Sequence, residues 1–363
     1  MTAQINPGVR SAGAERDLEQ RPLVGPRART LTLGTFRNVV QILFVLLLLK
    51  IGWQFYRFVS YYESFGAAPY ATRPPGVEGF LPLSALVAFK AWLATGVFDS
   101  IHPAGLVLFL AIAGTSLLFK KGFCSWLCPV GTLSEYLGRL GVRFFGRNFK
   151  IPALLDRILQ GLKYLLLAFF LNAIVIGMPG FVALAFLESP YNKVADVKML
   201  KFFTEISTTA ASILLILALA SILVRNFWCR YLCPYGALLG LLSYASPVKV
   251  QRNAEACTGC LKCNRVCPNR LDVAASGRVI SPECTACLEC VEACPFPGAL
   301  DVTAGFSPGQ AAARPLNRWA YPALLLGVFL LAILLAQLTS HWQTALAEVD
   351  WKKLIPMAGA FSH

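Results

Sequence analysis

The sequence predicts an α-helical integral membrane protein of about five spans, with an internal duplication and a small inserted α+β module. Three observations predict this class. Of the 363 residues, 56% are hydrophobic and only 14% are charged, against about 25% charged in ordinary soluble domains. Several apolar runs are long enough to cross a bilayer. All twelve cysteines fall in short, regularly spaced runs that occur in pairs.

The apolar runs define the expected order of segments. Residues 1–38 are polar and carry six arginines, so we expect a disordered cytoplasmic tail. The run 39–59 is long enough to span a hydrocarbon core of about 30 Å. Further spans are predicted near 103–119, 157–178, 208–224 and 319–340. The expected domains are the tail, a membrane core at 39–245, a soluble module at 246–306, and 307–363 as a linker, a last transmembrane helix and a short periplasmic tail.

Lysines and arginines are distributed unevenly between the predicted spans. With five spans and an internal N-terminus, the cytoplasmic segments hold 22 of these residues and the outer segments hold seven. Because basic residues accumulate on the cytoplasmic side, the N-terminus and the module are expected inside and the C-terminus outside. The net charge of +14 follows this topology rather than one soluble face, so no nucleic-acid partner is expected.

The apolar stretch 80–98 is ambiguous because it contains Pro82 and Lys90. A sixth span at this position would place the first tail on the wrong side of the membrane. We therefore expect a surface or re-entrant helix on the outer face.

Two internal repeats underlie the predicted architecture. Phe123–Leu133 and Trp228–Leu238 share six of eleven residues at an offset of 105. Cys257–Pro268 and Cys284–Pro295 share seven of twelve residues at an offset of 27. The first repeat predicts two related halves of the membrane core, and the second predicts a duplicated soluble module.

The second repeat has the pattern C-x2-C-x2-C-x3-C-P, which is typical of bacterial two-cluster ferredoxins. The fourth cysteine of each run ligates the other cluster in that pattern. One [4Fe-4S] cluster is therefore expected on Cys257, Cys260, Cys263 and Cys294. The other cluster is expected on Cys284, Cys287, Cys290 and Cys267. Structural zinc is the alternative, but zinc favours separated C-x2-C pairs, often with histidine, and no histidine lies between 103 and 340.

The first repeat supplies two C-x3-C-P loops, with Cys124 and Cys128 in one and Cys229 and Cys233 in the other. The proline after each second cysteine suits the first turn of a helix, so that cysteine is expected to cap the helix. Four thiolates from two related halves could hold one additional metal centre, either an iron–sulfur cluster or copper. The alternatives are redox-active thiols and packing cysteines. The spacing alone does not distinguish these alternatives from a metal centre.

GFCSWLCPVGTLSE (122–135), FWCRYLCPYGAL (227–238) and the two ferredoxin runs resemble the membrane polyferredoxins of the NapH/NosR/CcoG group. The resemblance covers roughly residues 40–300. It implies a bacterial inner-membrane protein with two [4Fe-4S] clusters that passes electrons between the quinone pool and another redox protein, such as a cytochrome, an iron–sulfur protein or a reductase subunit. The main hypothesis is thus a quinol dehydrogenase-like electron carrier. The alternative is a copper reductase or assembly factor for a membrane oxidase.

Three further side chains are candidates for quinol chemistry. His102 begins the second predicted span and His341 ends the fifth. Histidine is well suited to take a quinol proton near neutral pH, although a plain role at a helix end is the alternative. Lys50 lies near the middle of the first span, where a charge is costly and is a functional hypothesis by default.

Overall fold

A computed structural model describes residues 32–149, 151–305 and 314–361. Residues 1–31 of the predicted tail, part of the predicted linker and His363 lie outside these ranges. The helices are α1 (Leu33–Glu63), α2 (Pro82–Thr95), α3 (Pro103–Phe119), α4 (Gly122–Trp126), α5 (Pro129–Phe145), α6 (Ala153–Leu171), α7 (Gly180–Leu187), α8 (Pro190–Lys193), α9 (Ala195–Thr204), α10 (Thr208–Leu223), α11 (Pro234–Leu242), α12 (Lys262–Val266), α13 (Glu289–Ala293), α14 (Ala320–Leu338) and α15 (Glu348–Leu354). The strands are β1 (Val248–Arg252), β2 (Leu300–Ala304) and β3 (Arg314–Leu316). Short 3-10 turns span Pro75–Phe80 and Ser243–Ala245, and π-helical turns span Asn172–Ile176 and Trp228–Leu232.

The first helix begins at Leu33, six residues before the predicted start of the first span. The Thr32 hydroxyl accepts a hydrogen bond from Thr35 N at 3.1 Å, which satisfies a backbone donor at the helix start. The last residues assigned to the tail are therefore helical.

Among the described residues, the helices α1, α3, α6, α10 and α14 run between two ends of the molecule in alternating directions. We call the end that holds the cysteines the cluster end, and the end that holds His102 the opposite end. At the cluster end of α1, Gly34 N donates to Glu292 at 2.8 Å. At its other end, the Phe58 ring contacts Trp351. α6 and α14 run in the same direction as α1, and α3 and α10 run back.

The long apolar helices indicate that this is a membrane protein. Three of them, Leu33–Glu63, Ala153–Ile176 and Ala320–Leu338, are long and apolar enough to cross a bilayer. The bent pair α9 and α10, with an angle of 79°, is a fourth candidate if it counts as one span. α3, which was also expected to span, is a shorter apolar helix of 17 residues, at the lower limit of about 17–25 residues for a transmembrane helix.

The ambiguous stretch 80–98 forms α2, which has 14 residues and rises about 21 Å. Gly96, with φ of 74°, ends the helix in the left-handed conformation. The small residues Ala85, Ala88 and Ala91 are buried against α3 and α7. The helix is shorter than a span, as the sequence led us to expect, but one face is packed into the bundle.

Two glycines let α5 lie directly against α10. A Cβ at Gly141 would meet the backbone oxygen of Ile222 at 1.9 Å, and one at Gly138 would meet the Arg225 side chain at 2.9 Å. Only glycine permits this approach of two helices. The close contact joins the segment after the first C-x3-C-P loop to the segment before the second.

The soluble module contains an antiparallel sheet in the order β1–β2–β3. Val250 pairs with Val302, and Val302 pairs with Leu316. Because Leu316 lies beyond residue 306, the sheet extends past the predicted end of the module. Its buried side chains share one hydrophobic core with α3, α4 and α14, so the module is packed onto the membrane helices.

Candidate iron–sulfur sites

The two ferredoxin runs form the same local structure. Leu261 and Leu288, which are 27 residues apart, both adopt the left-handed conformation, with φ of 58° and 61°. Each is followed by a five-residue helix, α12 or α13, and these two helices pack against each other. The packed pair brings the ends of the two runs together.

One cavity in the module is lined by the four cysteines expected to hold the second cluster. They are Cys267 from the first run with Cys284, Cys287 and Cys290 from the second. The remaining lining is mostly apolar and includes Val250, Val279 and Leu288. Four thiols within apolar walls fit a [4Fe-4S] cluster, which takes cysteine thiolates as its ligands.

The thiols of this cavity are buried and close to one another. Burial raises the pKa of Cys290 well above its usual value, and the neighbouring Cys287 and Cys284 raise it further. Burial also raises the pKa of Cys267. Metal binding requires the thiolate form, so ionisation of these groups is coupled to the arrival of a cluster.

Three cysteines expected for the first cluster lie in one loop and at the start of the helix that follows it. Burial raises the pKa of Cys263, and Cys260 and Cys257 raise it further, because the three thiols are neighbours. The fourth expected ligand, Cys294, follows α13, which packs against the helix that carries Cys263.

Each C-x3-C-P loop ends in a cysteine that caps a helix. The Cys128 Sγ accepts a hydrogen bond from Gly131 N at 3.4 Å at the start of α5. The Cys233 Sγ accepts from Gly236 N at 3.2 Å at the start of α11. The predicted capping is confirmed in both loops.

The four cysteines of the two loops, Cys124, Cys128, Cys229 and Cys233, are called here the membrane cysteine set. Burial raises the pKa of Cys229 well above its usual value, and the other three thiols raise it further. Burial raises the pKa of Cys128 to about 11. The fold thus brings both loops together in one buried region.

The cysteines are not grouped as the ligands of a single ion. Within the described residues, no three histidine, cysteine, aspartate or glutamate side chains are placed to hold one metal ion. A tetrahedral zinc site needs its ligands about 2.0–2.3 Å from one centre, whereas a four-iron cluster is a larger body with cysteines on separate irons.

A buried ionic group joins the membrane cysteine set to the module, and sequence reasoning missed it. Lys163 Nζ lies 2.6 Å from both carboxylate oxygens of Glu283, and Tyr164 OH donates to the same carboxylate at 3.1 Å. Lys121 Nζ lies 4.0 Å from Glu283. We call Lys121, Lys163 and Glu283 the lysine–glutamate group. A lysine within the apolar run 157–178 was the signal that could have revealed it.

Arg37 was assigned to the tail but is 1% exposed. Its NH2 lies 2.6 Å from both Glu135 and Glu289. Burial raises the pKa of Glu135, but Arg37 and Arg139 outweigh it and hold the pKa below its usual value. These ion pairs connect the start of α1 to α5 and to α13 of the module.

The three candidates for quinol chemistry lie in different surroundings. His102 is 2% exposed, and its Nε2 is 2.7 Å from Asn192 O. His341 is exposed, and its ring packs on Phe98 with centroids 4.7 Å apart. Lys50 is exposed on α1 and makes no hydrogen bond or ion pair with the rest of the described chain.

His102 belongs to a second buried ionic group, which also escaped the sequence reasoning. Arg73 NH1 binds Glu78 at 2.7 Å and Arg73 NH2 binds Asp196 at 2.7 Å. His102 Nδ1 lies 3.6 Å from the Glu78 carboxylate. We call Arg73, Glu78, His102 and Asp196 the opposite-end ion group. Burial lowers the pKa of His102, but Glu78 outweighs it and raises the pKa above its usual value.

Known proteins resemble this chain in the same regions. The family described as a 4Fe-4S binding domain matches residues 101–152 and 206–253, one C-x3-C-P loop in each. The family described as a 4Fe-4S dicluster domain matches residues 249–295. No solved structure gives a significant match.

Curated relatives cover most of the chain. The electron transport protein YccM of Escherichia coli (strain K12) is 42% identical over 329 residues, which are 91% of this chain and 92% of YccM. The ferredoxin-type protein NapH of Haemophilus influenzae is 28% identical over 52% of this chain and 61% of NapH. The regulatory protein NosR of Pseudomonas aeruginosa is 30% identical over 46% of this chain and 22% of NosR. The chain therefore belongs to the family of YccM, an iron–sulfur electron transport family with NapH and NosR among its relatives.

Proposed function

We propose that this protein carries electrons between the quinone pool and a partner redox protein, through two [4Fe-4S] clusters in the module and a third centre at the membrane cysteine set. One observation carries the proposal: the first C-x3-C-P loop is in direct contact with the wall of the second cluster cavity. Ser125 Oγ donates to Thr285 O at 2.7 Å, and Trp126 Nε1 donates to Ala286 O at 3.2 Å. The donors follow Cys124, and the acceptors lie between Cys284 and Cys287.

The two ferredoxin runs face different surroundings, which supports an order of electron transfer through the module. Leu288 is 1% exposed against the membrane helices, whereas Leu261, its counterpart in the first run, is 49% exposed. The second cluster would therefore exchange electrons with the membrane part. The first cluster, behind the exposed loop, would exchange them with the partner.

Bound clusters would supply one-electron carriers, which suits a donor whose two electrons leave one at a time. Oxidation of quinol to quinone releases two electrons and two protons. Of the three candidate side chains, we assign acceptance of one of the two protons to His102, because the opposite-end ion group holds two carboxylates and one guanidinium. The other proton passes to water. Protonation of the imidazole balances these charges, whereas Lys50 and His341 are exposed and stand in no such group.

The test is reduction of the anaerobic protein in lipid nanodiscs by a quinol analogue, followed by bleaching of the visible cluster absorption. We expect bleaching by quinol in the wild type, and slower bleaching in His102→Gln with an unchanged response to dithionite. If dithionite reduces the clusters but quinol does not, the proposed link to the quinone pool is refuted. One copper per purified chain would instead favour the metal reductase or assembly factor.

The proposed topology has five spans across the bacterial inner membrane, with the N-terminus and module in the cytoplasm. The alternating directions of α1, α3, α6, α10 and α14 support it. The start of α3 at residue 103 and of α10 at residue 208, an offset of 105, supports two duplicated halves. A reporter fused after His363 should read as periplasmic. A cytoplasmic signal would refute the topology.

The proposed domains follow the expected division into a membrane core at 39–245 and a ferredoxin module at 246–306, with α1 extending the core back to Leu33 and β3 extending the module's sheet to Leu316. The third centre is tested by metal content. We expect about twelve irons per chain for three clusters of four, falling to about eight in the double variant Cys124→Ala with Cys229→Ala. An unchanged iron content in that variant would remove the third centre from the proposal.

A further inference from the structure

Lys121 is a buried ammonium group without a carboxylate of its own. The residue is 4% exposed. Glu283 approaches it only to 4.0 Å, and the same carboxylate is held by Lys163 at 2.6 Å through both oxygens. The lysine–glutamate group therefore contains two ammonium groups and one carboxylate, which leaves one positive charge in excess.

The excess charge faces the membrane cysteine set. Lys121 lies one turn before Cys124, whose backbone N donates to Lys121 O at 3.2 Å. Burial lowers the pKa of Lys121, but Glu283 and then the Cys124, Cys233 and Cys229 thiols outweigh burial and raise the pKa above its usual value. These thiols come from both C-x3-C-P loops. In the protonated form these thiols carry no charge.

Neutral thiols cannot balance a buried ammonium group. Removing an ion from water costs several kcal/mol even after local relaxation, unless a counter-charge is present. Four thiolates on a [4Fe-4S] core form a net-anionic centre, which would supply that counter-charge at the position the lysine faces.

We propose that the lysine–glutamate group is the built-in counter-charge of an anionic metal–thiolate centre at the membrane cysteine set, and that Lys121 raises the reduction potential of this centre. The inference rests on the third centre of the proposed function and adds how its potential is controlled. Reduction adds one negative charge to the centre, so a fixed positive neighbour stabilises the reduced form. The negative charge of Glu283 has the opposite effect.

The lysine–glutamate group also contacts residues that surround the second cluster cavity. Glu283 directly precedes Cys284, and its backbone oxygen accepts a hydrogen bond from Asn269 Nδ2 at 2.6 Å. Asn269 lies two residues after Cys267. The balance between Lys121 and Glu283 therefore acts between two consecutive electron carriers, where a difference in potential directs electron flow.

The experiment is a potentiometric titration of the full-length anaerobic protein, read by EPR, with iron counted in each sample. The signal of the membrane centre is the one absent from the Cys124→Ala, Cys229→Ala double variant. Lys121→Gln should move its midpoint to lower potential, and Glu283→Gln should move it to higher potential. Lys121→Arg should stay near the wild type. Lys90→Gln, at a half-buried lysine whose Nζ donates to Val175 O, is the control and should cause no shift.

The outcomes separate this inference from the proposed function. A membrane centre whose potential is unchanged in Lys121→Gln, or shifts in the same direction in Lys121→Gln and Glu283→Gln, overturns the inference and leaves the third centre standing. Loss of about four irons in Lys121→Gln with retention in Lys121→Arg supports a requirement for positive charge. Equal loss in both variants indicates a packing role and overturns the inference. About eight irons in the wild type overturn the third centre and the inference together.

Discussion

The lysine–glutamate group and the opposite-end ion group lie near the two ends of α3 and are balanced in different ways. The opposite-end ion group has one carboxylate in excess, and its own histidine can neutralise that charge by taking a proton. The lysine–glutamate group has one ammonium in excess among its own side chains, and the membrane cysteine set lies next to it. The position of the residual charge thus distinguishes the end that we propose to take up a proton from the end that we propose to hold an anionic cofactor.

The largest expected effect is the loss of a whole cluster at the cluster end. Cys267→Ala should remove the cluster held by Cys284, Cys287 and Cys290, because the thiol of Cys267 lines the same cavity. Iron content should fall by about four per chain, and one of the EPR signals should disappear. The matched variant Cys257→Ala should remove the other signal. If both variants lose the same cluster, the crossed ligand assignment is wrong.

The second effect is a loss of stability at the opposite end without a change in the clusters. Arg73→Met leaves Glu78 and Asp196 buried without their guanidinium partner, which should lower the free energy of unfolding by about 3–5 kcal/mol. Thermal unfolding in detergent measures this change, and EPR should show intact clusters in the folded fraction. Lys352→Met, at an exposed pair with Glu348, should leave the unfolding temperature unchanged. A loss of cluster signals in Arg73→Met would contradict the separation of the two ends.

The third effect is a pH dependence that belongs to the opposite end alone. The charged groups that face His102 are Glu78, Asp196 and Asp99, with Arg73 opposing them. Burial lowers the pKa of His102, but these carboxylates raise it above the unfolded value of about 6.5. The protonated form therefore stabilises the fold fully below that value, and this contribution is lost as the pH rises through the folded-state pKa.

Unfolding temperatures of the wild type should accordingly decrease over the range just above pH 6.5. His102→Gln should remove that part of the decrease and leave the rest of the profile in place. An identical pH profile in the two proteins would show that the histidine does not balance the opposite-end ion group.

The smallest effect concerns the contact between the first C-x3-C-P loop and the ferredoxin module. Ser125→Ala removes the hydrogen bond from Ser125 Oγ to Thr285 O, together with a longer contact to Gly122 O at 3.3 Å, and should cost about 1 kcal/mol. Cluster content should be unchanged, while electron transfer from quinol to the module should be slower. Ser212→Ala, which removes a bond within α10 to Thr208 O, is the control. Equal rates of quinol-driven electron transfer in Ser125→Ala and the wild type would show that this contact does not contribute to electron transfer into the module.

The sequence alone determined the local features of both cysteine systems. Proline after the last cysteine of each C-x3-C-P loop predicted capping, and Cys128 and Cys233 cap their helices. The repeat at an offset of 27 predicted two equivalent turns, and Leu261 and Leu288 share one backbone conformation. Such features depend on residues a few positions apart, so spacing is sufficient to predict them.

Only the tertiary structure decided which charges meet. Lys163 and Glu283 are 120 residues apart, and Arg73 and Asp196 are 123 apart, so no periodicity in the sequence connects them. His102 and His341 appeared equivalent as residues at span ends, yet one is buried in an ion group and the other is exposed. Burial depends on which helices pack over a side chain, and it determines whether a charge is solvated or must find a partner. The sequence therefore predicted the candidate metal ligands and the local backbone geometry around them, whereas the three-dimensional packing determined the electrostatics of their surroundings.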